Sequence, residues 1–134
     1  MLNVVGAVLI QNNKILLPKR SANLKKMPNM YEFPGGKIED SESLKEGLKR
    51  ELFEELCINV NIKDIIEFPN NVLKTEKFIL TIYIIKKWEG ELTINHEINS
   101  EILEVNIHEL INVEELLETD KQLIPAILEF LTTL

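Results

Sequence analysis

Apolar positions along the chain fall in short blocks whose spacing changes from segment to segment. Leu2–Ile10 is an apolar run rich in β-branched residues and Ile15–Leu17 is a second, with Gln11-Asn12-Asn13 between them. That pattern predicts a β-hairpin. Ser21–Met30 is polar, basic and interrupted by Pro28, so it reads as a loop, and Phe33-Pro34-Gly35-Gly36 is a strong breaker. From Ser41 to Leu56 the period changes: Leu44, Leu48, Leu52 and Leu56 recur at every fourth residue, which predicts a helix. Val60–Phe68 alternates like a strand, Pro69-Asn70-Asn71 turns, and Phe78–Ile85 has the continuous apolar character of a buried strand, ended by Trp88-Glu89-Gly90. Ile102–Val105 predicts a short strand, Val113–Leu117 a helical turn, and Lys121–Leu131 a closing helix with Asp120 as its N-cap. There is no internal repeat, low-complexity tract or linker. Strands on both sides of a central helix, plus a terminal helix, predict an α/β fold: a mixed sheet with helices packed on it.

Composition narrows the class. At 134 residues and 45% apolar content, the sequence predicts one globular domain over residues 1–134 and excludes disorder. The single cysteine, Cys57, excludes a disulfide framework. No apolar run approaches the ~20 residues of a membrane helix, and Met1–Ile10 lacks the features of a signal peptide. The expectation is a cytoplasmic protein, monomeric or weakly dimeric, with no membrane partner. A net charge of −7 and a pI near 4.9 argue against a nucleic-acid polymer as ligand. The charge is unevenly spread. Residues 1–31 hold Lys14, Lys19, Arg20, Lys25 and Lys26 and no acid, whereas Glu32, Glu39, Asp40, Glu42, Glu46, Glu51, Glu54 and Glu55 crowd together behind them. An acidic block is a solvated face or a site for a hard cation. A basic arm beside an acidic, metal-loaded site suits a small phosphorylated ligand.

The helical wheel separates those two readings. With ~100° per residue, the four leucines span roughly 0° to 120°, Glu55 falls near 20°, Glu51 near 340° and Glu54 near 280°. Glu55 therefore lies inside the apolar stripe and Glu51 at its edge, where an ordinary amphipathic helix has no carboxylates. A burial-prone carboxylate needs a partner or a metal. Gly47, near 300° on the same wheel, either leaves that face open to a ligand or is a tolerated glycine in a loosely packed helix.

From Gly36 the chain reads glycine, five residues, Glu42, seven residues, then Arg50-Glu51-Leu52-Phe53-Glu54-Glu55-Leu56-Cys57-Ile58. This resembles the Nudix box, G-x5-E-x7-R-E-U-x-E-E-x-G-U with U apolar, at every position except the last glycine, which is Cys57. Glu32-Phe33-Pro34-Gly35-Gly36-Lys37-Ile38-Glu39 and Trp88-Glu89-Gly90-Glu91 resemble the MutT branch in particular. The resemblance implies an α/β/α sandwich with a mixed sheet. It also implies hydrolysis of a nucleoside diphosphate linked to another group with Mg²⁺ or Mn²⁺, and in the MutT branch release of nucleoside monophosphate and pyrophosphate.

The same resemblance implies roles. Glu51, Glu54 and Glu55 would hold metal, with the Gly36 carbonyl and Glu97 as further ligands, and Glu42 and Arg50 would support them. Glu51 and Glu97 are rival general bases. Arg20, with Lys19 as its rival, would contact phosphate. Phe33, Lys37 and Asp120 complete the expected substrate-binding set: Phe33 as a stacking residue or a core aromatic, Asp120 as a base reader where the best-known member has asparagine. His96 and His108 show no zinc spacing. Cys57 predicts either a left-handed residue under strain or a different helix exit. Three activities remain open: sanitising non-standard nucleoside triphosphates such as 8-oxo-dGTP, hydrolysing ADP-ribose or another dinucleoside diphosphate, or binding nucleotide without turnover.

Overall fold

The computed structural model describes residues 1–133. Strand β1 (Leu2–Gln11) turns through Asn12 and Asn13 into β2 (Lys14–Arg20), as the hairpin pattern predicts. Both asparagines have positive φ, +53° and +63°, the twist that two-residue hairpin loops require. The breaker at Phe33–Gly36 leads directly into a short strand the pattern did not suggest, β3 (Gly35–Lys37). Helix α1 covers Leu44–Leu56. It begins later than expected because Ser43, not Ser41, forms a capping box with Glu46.

Beyond α1, the expected strand at Val60–Phe68 shrinks to β4 (Ile65–Ile66) behind a 3₁₀ turn at Ile62–Asp64. Only these two residues pair with the end of the long strand β6 (Phe78–Ile85), whose bounds match expectation. Strand β5 (Val72–Lys74) was not evident in the pattern, and β7 (Asn99–Asn106) is longer than expected. The helical turn lies at Ile107–Asn112 rather than Val113–Leu117. The closing helix is split into α2 (Glu118–Lys121) and α3 (Ile124–Thr132). Pro125, near the start of α3, lacks an N–H and clashes with a continuous helix behind it, which accounts for the break. Asp120 therefore sits within α2 and caps nothing with its side chain.

The sheet runs β4-β6-β1-β2-β7, with β1 and β6 parallel and the other pairs antiparallel. β1 and β6 are covered on both faces, which is why they read as unbroken apolar runs. Val5, Ala7 and Leu9 face the α1 side, packing with Leu48, Leu52 and Leu56. Val8, Ile10, Leu80, Ile82 and Ile84 face the opposite core under α3. This is the α/β/α sandwich with a mixed sheet. Among the described residues, no helix is long and apolar enough to cross a membrane.

One feature of the topology places the site. Along one edge β1 pairs with β2 over Leu9–Gln11, but with β3 over Val4–Gly6. The sheet splits there, and Gly35 and Gly36 lie in the split. A side chain on Gly35 would run into the Val5 carbonyl, so only glycine permits this approach.

Candidate active site

Arg50 organises the acidic block. Its Nη2 and Nε donate to the two Glu42 oxygens at 2.7 and 3.1 Å, and Nη2 also donates to the Lys37 carbonyl at 3.1 Å. Its Nη1 donates to Glu51 at 3.1 Å and Glu54 at 3.2 Å, with Glu39 at 3.6 Å. One guanidinium thus offsets repulsion among four carboxylates, and it holds the Glu42 carboxyl below the usual range.

The other carboxylates shift the opposite way. Burial is the main reason that Glu51 is raised, with the Arg50 hydrogen bond opposing it. Glu55 is pushed up to about 8, first by burial and then by Glu32 and Glu51, against a hydrogen bond from the Gly35 backbone and the charge of Arg20. Glu32 is also raised by burial, although Arg20 donates to it at 2.9 Å. The leucine stripe pulls Glu55 inward, as the wheel predicted, and two more carboxylates lie close by.

Gly36 touches this group: a Cβ there would lie 2.5 Å from the Glu51 carboxyl carbon. Gly47 is not the open face or the loosely tolerated glycine considered from sequence. It is buried, and a Cβ would collide with Ile38 and lie 2.8 Å from Glu42. Cys57 takes the strained option. It is left-handed (φ +60°, ψ +22°), and its N–H closes the helix on the Phe53 carbonyl at 3.1 Å, as a glycine would.

Through Gly35-Gly36-Lys37 the acidic group adjoins a cleft of about 430 Å³. The cleft brings together Arg20, Phe33, Gly36, Lys37 and Asp120, and adds Lys26, Lys77 and an apolar wall that includes Leu80 and Leu117. Phe33 belongs both to the core and to the lining. Asp120 is 4% exposed, and its Oδ2 accepts the Phe33 N–H at 2.9 Å. Burial pushes its carboxyl up to about 7, helped by Glu32 and opposed by that hydrogen bond. Arg20 stands on the wall, but its guanidinium is committed to Glu32 and to the carbonyls of Lys26 and Met27.

Glu97 stands apart. It is exposed on the turn at 96–98, where its N–H donates to Asn95 Oδ1, and among the described residues no hydrogen bond or ion pair joins it to the box. Lys19 pairs with Glu101 at 3.5 Å and lies over the Tyr31 ring, away from the cleft lining. His96 is exposed on the same turn as Glu97, and His108 is exposed in the 3₁₀ turn.

Three features escaped the sequence reading. Glu32 was visible only as a motif letter and as one of the crowded acids, with no role of its own. Lys77 gave no signal beyond its charge. Asn99, 1% exposed, faces Arg20 across the β2–β7 pair and keeps an Nδ2 without a partner.

A NUDIX domain model matches residues 2–131. The chain belongs to the Nudix family. The 8-oxo-dGTP diphosphatase of Escherichia coli K12 is 34% identical over 87 residues, 65% of this chain and 67% of that protein. The CTP pyrophosphohydrolase of the same organism is 42% identical over 62 residues, 46% of this chain and 45% of that one. The solution structure of the E. coli ORF135 protein superposes with a TM-score of 0.81 at 26% identity, covering 99% of this chain and 92% of that one. This Nudix protein is a pyrophosphohydrolase by family and by relatives.

Nudix hydrolases generally use divalent metals, and the donor chemistry here fits one. The ligands on offer are oxygen atoms only, the set preferred by Mg²⁺ and Mn²⁺. Glu55 is a half-buried carboxylate near two others, so a nearby cation would favour its charged form. Among the described residues no three acidic side chains converge as a preformed cage; Glu51 and Glu54 rest on Arg50 instead.

Proposed function

We propose that this Nudix enzyme hydrolyses nucleoside triphosphates to nucleoside monophosphate and pyrophosphate, acting foremost on 8-oxo-dGTP or other non-standard nucleotides. One observation carries the reading: a single cleft gathers an apolar wall, the buried Asp120 carboxyl and several cations, and it reaches the box at Gly36. A base can lie against Phe33 and Leu80 with its edge toward Asp120, while its phosphates run toward Lys37 and the glutamates.

Mg²⁺ or Mn²⁺ would be held by Glu51, Glu54 and Glu55 with the Gly36 carbonyl, and when bound would neutralise phosphate charge and activate water. The chain's own residues do the rest. Arg50 orients Glu51 and Glu54, Lys37 attracts the anion, and Gly36 keeps the approach free of side chain. Of the two carboxylates considered for taking the water's proton, Glu51 is the one set among the box residues. Glu97 would serve only by joining them from its turn. The enzyme is read as one domain over residues 1–134, cytoplasmic, monomeric or weakly dimeric, with a small nucleotide as its ligand.

The test is kcat/KM in Mg²⁺ for 8-oxo-dGTP, dGTP, dCTP and ADP-ribose, side by side. A marked preference for 8-oxo-dGTP supports the sanitising role. Preference for CTP-type substrates would align the enzyme with its CTP pyrophosphohydrolase relative, and preference for ADP-ribose would overturn the triphosphate reading.

A further inference from the structure

Residues 21–30 form a loop that the chain does not hold by regular secondary structure. Two of its non-glycine residues, Met27 and Asn29, have positive φ, +47° and +62°. For methionine that is a disfavoured conformation, which persists only where surroundings enforce it. Arg20 supplies the enforcement. Its Nε donates to the carbonyls of Lys26 and Met27 at 3.2 and 3.1 Å, and its Nη2 donates to Lys26 again at 3.0 Å. Its backbone closes the base of the loop: Arg20 N–H donates to Met30 at 2.8 Å, and its carbonyl accepts from Asn29 at 3.0 Å. The remaining arm of the fork, Nη1, rests on Glu32.

Lys26 is the residue this clamp grips by its backbone. Lys26 is one of the residues lining the cleft, is exposed, and among the described residues forms no ion pair. Arg20 is the reverse: inside the cleft lining but already bonded on both sides. Swinging its guanidinium out to a phosphate would release two loop carbonyls and leave Glu32, largely buried, without its cation.

Building on the triphosphate reading, we propose that Arg20 is a positioning residue that shapes the 21–30 loop, and that Lys26 is the cation the loop presents to the substrate's phosphates. This reverses the role expected for Arg20 from sequence. Arg50 and Arg20 then act alike, each using a planar fork to fix a neighbour rather than to touch the ligand.

The test combines KM and kcat for dGTP with amide hydrogen exchange over residues 21–30, for Lys26→Gln, Arg20→Lys, their double variant and a Lys25→Gln control. Lys26→Gln should raise KM about tenfold, the order expected for one lost charge contact, with kcat and loop exchange unchanged. Arg20→Lys keeps the charge but loses the fork, so it should raise KM similarly and speed exchange of the loop amides. The double variant should be no worse than Arg20→Lys alone. A normal KM in Lys26→Gln, additive effects in the double variant, or unchanged loop exchange in Arg20→Lys would each overturn the proposal. If the wild-type enzyme turns over no triphosphate, the functional reading fails separately. The exchange data, with calorimetric binding of dGTP to the same variants, still decide between Arg20 and Lys26.

Discussion

Arg50 and Glu42 form a two-pronged ion pair, with both Glu42 oxygens bonded to the same guanidinium at 2.7 and 3.1 Å. Glu42 lies eight residues earlier in the chain, before α1 begins, so the pair ties the loop after β3 to the helix. Arg50→Lys supplies a charge without the fork and cannot serve Glu42, Glu51 and Glu54 together. We expect kcat to fall at least tenfold and stability to drop by about 1–3 kcal/mol, the range for losing charge-assisted hydrogen bonds. Urea melts and initial rates on the same sample measure both. Wild-type kcat in Arg50→Lys would show that orientation of Glu51 and Glu54 does not depend on the fork.

Glu54 separates catalysis from folding. Its side chain is 55% exposed and, among the described residues, forms an ion pair with Arg50 alone, at 3.2 Å. An exposed ion pair contributes about 0–1 kcal/mol, so Glu54→Gln should melt within a few degrees of the wild type. If Glu54 holds the metal, the same change should abolish Mg²⁺-dependent turnover and weaken the rise in Tm that Mg²⁺ gives the wild type. Turnover at the wild-type rate would remove Glu54 from the metal set.

Glu55 predicts an unusual pH response. A carboxyl raised to about 8 in the folded state binds its proton more tightly than in the unfolded chain, where its value is 4.5. Its contribution to stability is therefore complete below about 4.5 and is lost as pH rises through about 8. In metal-free buffer the wild type should lose more stability between pH 5 and pH 8 than Glu55→Gln does. Thermal melts of the two proteins across that interval test this. Saturating Mg²⁺ should shrink the difference, because the cation favours the ionised form. Parallel melting curves would mean that Glu55 is not desolvated in solution.

Much of this was legible because the relevant signals were local. The leucine period set α1 and the placing of Glu55 within its stripe, and the asparagine pair set the hairpin. The box spacing singled out the cluster around Arg50. What was not legible depended on contacts between distant segments. β3 exists because β1 has a free edge where β2 departs, and nothing in Gly35-Gly36-Lys37 says strand. Asp120 looked like a cap because helix pattern continues on both sides of Pro125. Only the packed structure shows its carboxylate turned onto the Phe33 N–H. Arg20 carried the right charge for a phosphate contact, but its bonds to a loop six and seven residues away lie outside any periodic rule.

Gly47 gives a prediction whose sign opposes helix propensity. Alanine in place of a mid-helix glycine ordinarily stabilises by about 1 kcal/mol. Here the new methyl would press on Ile38 and approach the Glu42 carboxylate, the partner of Arg50. Gly47→Ala should therefore be destabilising, by about 1–3 kcal/mol as for other overpacked sites, and should also lower kcat by displacing Glu42. A more stable, fully active variant would show that Ile38 and Glu42 move aside freely.

Asp120 should govern base choice, and its chemistry makes the outcome depend on pH. With Oδ2 accepting the Phe33 N–H, the free oxygen is the one available to a base edge. Ionised, it only accepts hydrogen bonds; protonated, it donates one. Since burial raises the carboxyl to about 7, both forms are populated near neutral pH. Acidification should favour bases that present an acceptor to it, and alkaline pH those that present a donor. Asp120→Asn keeps an acceptor for Phe33 and offers a permanent amide donor. It should reduce the pH dependence of the ratio of kcat/KM values for 8-oxo-dGTP and dGTP between pH 6 and pH 9, while the fold and kcat on the better substrate survive. The ratio measured at both pH values, in wild type and variant, decides the matter. An unchanged ratio and an unchanged pH profile in Asp120→Asn would assign the residue to holding Phe33 alone.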